Sequence, residues 1–276
     1  MPELAKRVWK SVNDDDVFGR SAQLAYYFFF ALFPGLIFLS SVLGLLASPG
    51  TQLHDSLLRF MGTVLPGSAF AMVQQVLDQT TQASGGGKLT FGILVALWSA
   101  TQGMVAVQDT LNAVYNVREG RPFWKSRGVA LGLTVVCSLL FIVGLTVILY
   151  GNRLANFVGA HLGLSSAATW AWKIGELPIA LFFLSLVFAV TYYAAPDLAR
   201  RHWEWLTPGA VVGMTAWIIA SAALRLYLHF FKSYTASYGS LGAVIILLTW
   251  FYVTGLMLLT GAEVNAEIAN AVTKHG

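Results

Sequence analysis

Long apolar runs, separated by shorter polar connections, divide this chain into six segments. They cover about residues 22–47, 89–112, 128–150, 174–195, 208–229 and 241–266. A helix that crosses the hydrocarbon core of a bilayer requires about 20 mostly apolar residues. The pattern therefore predicts an all-α, polytopic membrane protein with six transmembrane helices. Residues 1–276 form one integral membrane domain, because no segment is long and polar enough for a separate soluble domain.

Two stretches outside these runs have the spacing of amphipathic helices. Near the N-terminus, Leu4, Val8 and Val12 recur every four residues among basic side chains, which favours a short helix on the membrane surface. A frayed basic terminus is the alternative. Residues 51–83 also place apolar side chains at helical spacing, interrupted by a Pro-Gly pair, and predict two interfacial helices.

Composition and charge support a membrane protein and suggest its orientation. The chain is 57% hydrophobic and 11% charged, whereas soluble domains carry about 25% charged residues. Eleven of the 17 Lys and Arg residues lie at the two termini and in the second and fourth connections, and five lie in the alternate connections. By the positive-inside rule, both termini are predicted to be cytoplasmic. The net charge of +4 then indicates membrane lipids as partners, not nucleic acid.

The stretch from Trp98 to Arg127 combines an apolar run with a basic connection. Gln102, Asp109 and Asn116 recur every seven residues, so on a helix they share one face, which is predicted to point into the protein. Residues 118–127 contain four basic side chains beside Phe and Trp, and are predicted to form a short cytoplasmic loop at the level of the lipid headgroups.

Three features of the apolar runs bear on helix shape and packing. Pro34 lies near the middle of the first run, where proline would kink or break a helix. Broken helices in transporters often line the substrate site, which makes Pro34 a candidate for the substrate path. Proline also occurs in spans that only bend. Small residues four apart, Gly128 with Gly132 and Gly209 with Gly213, predict close helix contacts. These contacts could lie within one chain or between the copies of a homo-oligomer.

Ionisable side chains inside apolar runs are the candidate functional residues, because each is costly to bury in a bilayer. In one interpretation, Gln102, Asp109, Arg225 and Glu263 line a polar substrate path. In the other, the charges are structural: Asp109 and Glu263 pair with Arg20 at the start of the first run, and Arg225 either pairs with Glu176 or extends to the membrane surface.

Signatures of an enzyme are weak in this chain. The five histidines are scattered, and no His, Cys, Asp and Glu residues have the spacing of metal ligands. No nucleophile elbow is found, and the single cysteine, Cys137, rules out an intramolecular disulfide. We therefore predict no catalytic residue, no metal and no cofactor.

Several motifs together resemble the YihY/BrkB family of bacterial inner-membrane proteins. They are LAYYFFFALFP at 24–34, WSATQGM at 98–104, AVYNVR at 113–118, RPFWK at 121–125, LTPGA at 206–210, FKSYTASYGSLGA at 231–243 and LTGAEVNA at 259–266. The resemblance implies a six-span inner-membrane protein with cytoplasmic termini. Members were formerly labelled ribonuclease BN, a label regarded as mistaken, and others have been proposed as exporters or lipid transporters.

These observations favour a transporter or exporter of a lipid or a small amphiphilic anion. The aromatic spans, the interfacial helices and the intramembrane Arg225 support this hypothesis. Tyr238, in the Tyr-, Ser- and Gly-rich segment before the last span, is a further candidate for the path, although a plain connecting loop explains the segment equally well. The alternative is a membrane scaffold without transport activity, associated with the envelope or with virulence, and a ribonuclease is a remote third.

Overall fold

The computed structural model describes residues 2–46, 55, 58–59, 74, 86–162, 165–199, 203–230 and 240–275. Within these residues the chain forms seven helices and no strand. They are α1 (Pro2–Asp14), α2 (Val17–Leu46), α3 (Gly86–Val114), α4 (Phe123–Leu162), α5 (Ser165–Ala194), α6 (Pro208–Phe230) and α7 (Ser240–His275). The all-α prediction is confirmed for this part of the chain. The two interfacial helices predicted at 51–83 fall almost entirely outside the described residues.

In the described part of the chain, four helices contain segments long and apolar enough to cross a membrane. These segments are Phe123–Ile148 in α4, Ile174–Ala194 in α5, Pro208–Leu228 in α6 and Val244–Ala271 in α7. The chain is thus a membrane protein with several apolar helices. Helices α2 and α3 contain the first two predicted spans to within one residue, but the total of six spans stays a prediction.

The ends of several helices are set by local capping interactions. Asp16 has a left-handed φ of 48°, and its Oδ1 accepts a hydrogen bond from the Gly19 amide at 3.2 Å, which caps α2. Asn116, with φ 52°, ends α3 in a Schellman motif, in which the Val117 amide donates to the Asn112 carbonyl at 2.9 Å. Thr207 caps α6, since its Oγ1 accepts from the Ala210 amide at 3.1 Å.

One prediction about helix boundaries is wrong, and helices α4 and α2 are continuous over longer stretches of the chain. Phe123–Arg127 begins α4 instead of forming a loop, because the amides of Lys125 and Ser126 already donate to the Pro122 carbonyl. The connection predicted between the third and fourth spans is mostly helical, since α4 continues to Leu162. Helix α2 is continuous through Pro34. A proline removes one hydrogen bond from a helix, and in a 30-residue helix the remaining bonds maintain the conformation.

The six long helices form a closed bundle in the order of the sequence. Each of α2 to α6 packs against the next helix, and α7 packs against α6, α2, α3 and the short α1. The buried core lies at the end of the bundle where α2 begins and α7 ends. Leu24, Leu111 and Leu259 are its largest fully buried apolar side chains.

Glycines explain how α6 and α7 come into close contact. A Cβ atom at Gly213 would lie 2.9 Å from the Met257 carbonyl oxygen, and one at Gly209 would collide with the Gly261 carbonyl and Asn265. The predicted close contact therefore exists on α6. On α4, by contrast, a Cβ atom at Gly128 or Gly132 would meet no atom of the described residues within 4 Å. Within that part of the chain the predicted close contact is not formed on α4, and a contact between copies there stays a prediction.

These two helices allow a matched test of the α6–α7 contact. Gly213→Ala should lower the free energy of unfolding by about 1–3 kcal/mol, because the added methyl group forces a close-packed interface apart. Gly132→Ala is the control, since its methyl group meets open space and alanine favours a helix by up to about 1 kcal/mol. Thermal unfolding of the detergent-solubilised protein measures both, and equal melting temperatures would contradict the assigned contact.

Candidate functional site

A group of polar side chains, here called the Glu263 cluster, lies where α7 meets the junction of α1 and α2. Its members are Asp15, Arg20, Tyr115, Glu263, Asn265 and Glu267. Glu263 is 1% exposed, and its Oε1 atom is buried without a hydrogen-bond partner in the described part of the chain. An ionised carboxylate in such a place is energetically unfavourable unless it is paired. Glu263 is therefore the side chain of this cluster that most needs a chemical explanation.

Asp15 is the direct partner of Glu263. The two carboxyl groups are within hydrogen-bonding distance of each other. Burial raises the pKa of Asp15, as do Asp14 and Glu267, whereas the contact with Glu263 and the Arg20 guanidinium lower it. Arg20 does not form the predicted ion pair; its Nε donates to the backbone carbonyl of Asp15 at 2.7 Å. This bond holds the guanidinium beside the two carboxyl groups.

One turn further along α7, Glu267 attaches the N-terminal helix. Its Oε1 accepts a hydrogen bond from the Ser11 hydroxyl at 2.9 Å, and its Oε2 lies 3.8 Å from Arg7 Nε. Val12, on the same helix as Ser11, is buried in the bundle core. Helix α1 is thus attached to α7 by both apolar and polar contacts.

Asn265 connects the cluster to the start of α6. Its Nδ2 donates to Thr207 Oγ1 at 2.9 Å, and its Oδ1 accepts from the Gly209 amide at 2.8 Å. Burial raises the pKa of Tyr115 to about 12, with a smaller contribution from Glu263, while a hydrogen bond with Asn265 opposes the shift. Tyr192 donates its hydroxyl to the Leu258 carbonyl at 2.7 Å. The start of α6, the end of α3 and helix α5 therefore meet around α7 here.

A second group, the Arg121 cluster, joins the connection between α3 and α4 to the end of α5. It comprises Asn112, Glu119, Arg121 and Asp197. The Arg121 side chain is 4% exposed, and its Nε and Nη2 atoms each lie 2.6 Å from a Glu119 oxygen. Nη2 also donates to the Ala195 carbonyl at 2.9 Å, and Nη1 donates to the Ala194 carbonyl at 3.4 Å. Arg121 thereby caps the C-terminus of α5.

The other members complete the Arg121 cluster. Asn112 Nδ2 donates to Glu119 Oε2 at 3.0 Å, and Asn112 Oδ1 accepts from the Asp197 amide at 2.8 Å. Asp197 Oδ2 accepts from the Gly120 amide at 3.0 Å. The hydrogen bonds from Arg121 hold the pKa of Glu119 below its usual value. Since its charged groups have partners, this cluster fits a structural role.

The polar path predicted from the sequence is not assembled as one line. Gln102 and Asp109 lie near Arg127 at the contact of α3 with α4: Arg127 Nη1 donates to Gln102 Oε1 at 2.8 Å, and Arg127 acts electrostatically on Asp109. Asp109 and Asn116 are exposed, so the prediction that their shared face points inward is wrong. The buried polar side chains of α3 include Thr101, Gln108 and Asn112.

The remaining predicted site residues lie elsewhere or outside the described residues. Arg225 and Glu176 are both exposed, and within the described ranges they form no ion pair with each other. Pro34 is half-buried in the continuous α2. Tyr238 lies outside the described residues. Of the predicted path, only Glu263 enters the buried cluster, and its predicted neighbour Arg20 lies beside it without a direct ion pair.

Sequence reasoning missed four members of the Glu263 cluster as site residues, namely Asp15, Tyr115, Asn265 and Glu267. Glu263 and Glu267 are four residues apart and therefore share one helix face. This spacing could have indicated that the two carboxyl groups belong to the same site. Asp15 lies outside the apolar runs, where a charged side chain is ordinary. Its contact with α7 depends on how α1 and α2 dock, which no local pattern reveals.

An open groove lies between α2 and α7. Its volume is about 330 Å³, and it is lined by Ala22, Ala25, Tyr26, Leu248, Thr249 and Tyr252. Tyr26 and Thr249 are exposed at its surface. The groove thus combines apolar walls with a few hydroxyl groups. Within the described residues, no three His, Cys, Asp or Glu side chains are placed to hold a metal ion.

The chain is similar to several known proteins over most of its length. A sequence model described as virulence factor BrkB matches residues 8–276. The ribonuclease-like protein YfkH of Bacillus subtilis is 34% identical over 247 residues, which are 90% of this chain and 88% of that protein. UPF0761 membrane proteins of Xanthomonas oryzae and Xanthomonas campestris are 26% and 28% identical over 95% of this chain. The chain spans 60% of the length of these Xanthomonas proteins. No solved structure matches.

The Arg121 cluster can be tested through a substitution that keeps its charge. Arg121→Lys should lower the free energy of unfolding by about 1–3 kcal/mol, because an ammonium group cannot bind Glu119 through two nitrogens and cap α5 at the same time. Arg118→Lys, at an exposed position, is the control. Melting temperatures in detergent provide the measurement, and an unchanged value for Arg121→Lys would exclude the capping role.

The lowered pKa of Glu119 predicts an acid dependence of stability. The ionised form is stabilised by folding, so its contribution is present above the usual glutamate pKa of 4.5 and is lost as pH falls through the lower folded pKa. Glu119→Gln should melt at a lower temperature than the parent at neutral pH, and the difference should shrink in acid. A difference that stays constant with pH would contradict the assigned interaction.

Proposed function

This chain belongs to the BrkB virulence factor family, and on that premise we propose that it is a bacterial inner-membrane transporter of a lipid or an amphiphilic anion. In this proposal the six long helices cross the membrane and both termini are cytoplasmic. The Glu263 cluster then lies near the cytoplasmic ends of the helices. The proposal assigns the chain no catalytic role, and it treats the ribonuclease-like name of the Bacillus subtilis relative as a statement about that protein alone.

The groove between α2 and α7 is the observation that supports this function. It is an open groove between two long helices, and in this proposal it faces the bilayer, so that a lipid enters it from the side. Its alanine and leucine walls suit an acyl chain, while Tyr26, Thr249 and Tyr252 offer hydroxyl groups to a more polar part of the molecule. An amphiphile combines the same two kinds of surface.

Arg225 supports the choice of an anion. It lies 17 residues after the start of α6, so at about 1.5 Å per residue it is far along the helix. Its side chain is exposed, and no ion pair with it is formed among the described residues. A guanidinium group at such a position attracts carboxylate or phosphate groups.

A membrane scaffold without transport activity is the second candidate. The observation that favours it is the Arg121 cluster, whose polar atoms bind one another and join α3, α4 and α5 instead of leaving a polar route open. In that case the buried charges of the chain hold its helices together, and the groove contains bulk lipid.

Filling the groove distinguishes the two candidates. Ala22→Phe should lower the flux of a fluorescent phospholipid across reconstituted vesicles by about tenfold, which corresponds to about 1.4 kcal/mol, because the ring would occupy the groove. Ala223→Phe, at an exposed position on α6 that does not line the groove, is the control. Parent flux equal to that of protein-free vesicles would favour the scaffold.

Lipids that co-purify with the protein test the role of Arg225. Mass spectrometry of the parent in mild detergent should find an enriched anionic amphiphile, and Arg225→Gln should lose it because the attracting charge is removed. Arg118→Gln, which removes a charge from an exposed connection, should retain it. Equal amounts of bulk membrane lipid in all three samples would contradict binding at Arg225.

A further inference from the structure

The contact between Asp15 and Glu263 requires a proton. An ionised carboxylate accepts hydrogen bonds but cannot donate them, so two carboxyl groups within hydrogen-bonding distance attract each other only when one is protonated. If both were ionised, like charges would repel at short range. Glu263 is 1% exposed, and water therefore screens this repulsion poorly.

The second observation is the unpartnered oxygen of Glu263. Its Oε1 atom is buried and has no hydrogen-bond partner among the described residues. A fully ionised carboxylate has two acceptor oxygens that need donors, whereas a protonated carboxyl group carries no net charge and needs fewer. The surroundings of Glu263 therefore suit its protonated form.

The charged groups around the pair come from four elements. Asp14 on α1 and Glu267 on α7 favour retention of a proton at Asp15, and Arg20 on α2 opposes it. Tyr115, after α3, interacts electrostatically with Glu263, and Arg7 lies beside Glu267. Arg20 is thus the principal nearby cation, and its Nε is already bound to the Asp15 carbonyl.

We propose that Asp15 and Glu263 share one bound proton, and that this shared proton holds the junction of α1 and α2 against α7. When the proton leaves to water through the partly exposed Asp15, the two carboxylates repel each other and α1 loosens from α7. No other bond is made or broken. Transport is not required for this inference, so it can stand or fall separately from the proposed function.

The direction of the pH dependence follows from the order in which the pair loses its protons. Burial raises the pKa of Asp15, while its contact with Glu263 lowers it, so Asp15 ionises first and the shared proton is the last to leave. The stabilisation from the singly protonated pair is therefore present below the pH at which this last proton dissociates, and it is lost as pH rises through that value. The attachment of α1 should therefore weaken in alkaline solution. Other polar contacts of α1 with α7 are those of Ser11 and Arg7 with Glu267. Both favour an ionised Glu267, so they are not expected to weaken as pH rises.

Infrared spectroscopy tests the proton directly. The full chain in detergent at neutral pH should show the carbonyl-stretch band of a protonated carboxyl group, and the band should disappear at alkaline pH. Glu263→Gln and Asp15→Asn should each remove the band, whereas Glu176→Gln, which changes an exposed carboxyl group, should retain it. Absence of the band from the parent, or its persistence in both Glu263→Gln and Asp15→Asn, would overturn the proposal.

A spin label on α1 tests whether this helix loosens from α7 when the proton leaves. The label is attached at Lys10→Cys, an exposed position, in a Cys137→Ser background. In the parent its mobility should rise at alkaline pH. In Glu263→Gln the amide donates to Asp15 in place of the proton, so mobility should stay low at both pH values. If that variant does not fold, Asp15→Asn makes the same test at the less buried residue. Equal pH dependence in parent and variant would refute the proposal.

Discussion

Polar atoms at one end of a helix bundle must find partners within the protein, and this constraint organises the structure. The ends of helices leave backbone amides and carbonyls without intrahelical partners. Here Arg121 binds the carbonyls of Ala194 and Ala195, and Asn265 binds the Gly209 amide and the capping hydroxyl of Thr207 at the start of α6. Both side chains come from distant parts of the sequence. The capping of one helix therefore depends on the position of another.

The two polar clusters resolve this constraint differently. The Arg121 cluster pairs its guanidinium with Glu119 and Asp197 and uses its remaining donors as caps, which is the pattern of a structural joint. The Glu263 cluster contains three carboxyl groups near one arginine, and one oxygen of its most buried member is without a described partner. A buried carboxyl group without a full set of partners lowers stability. Unfavourable features of this kind persist where the surrounding structure enforces them, and they cluster at functional sites.

The groove and the Glu263 cluster share the contact of α2 with α7. Gly255 allows α7 to pack closely against Leu24 and Ser21, between the residues that line the groove and the residues that hold the carboxyl pair. A change at the junction of α1 and α2 would therefore act on the same pair of helices that forms the groove. This shared contact gives the proton site a physical connection to the proposed binding surface.

The sequence by itself determined the helical class and the apolar segments, because the length and periodicity of hydrophobic runs act locally. It also identified Glu263 as a buried charge that needs an explanation, and its motifs identified the family. It could not distinguish the two polar stripes of α3, since Gln102 with Asp109 and Thr101 with Gln108 have the same seven-residue spacing. Only tertiary packing decided that the second pair is buried, that Gly213 contacts a neighbouring helix while Gly132 does not, and that Asp15 meets Glu263. These outcomes depend on which helix faces meet, and residues 248 positions apart in sequence carry no local signal of their contact.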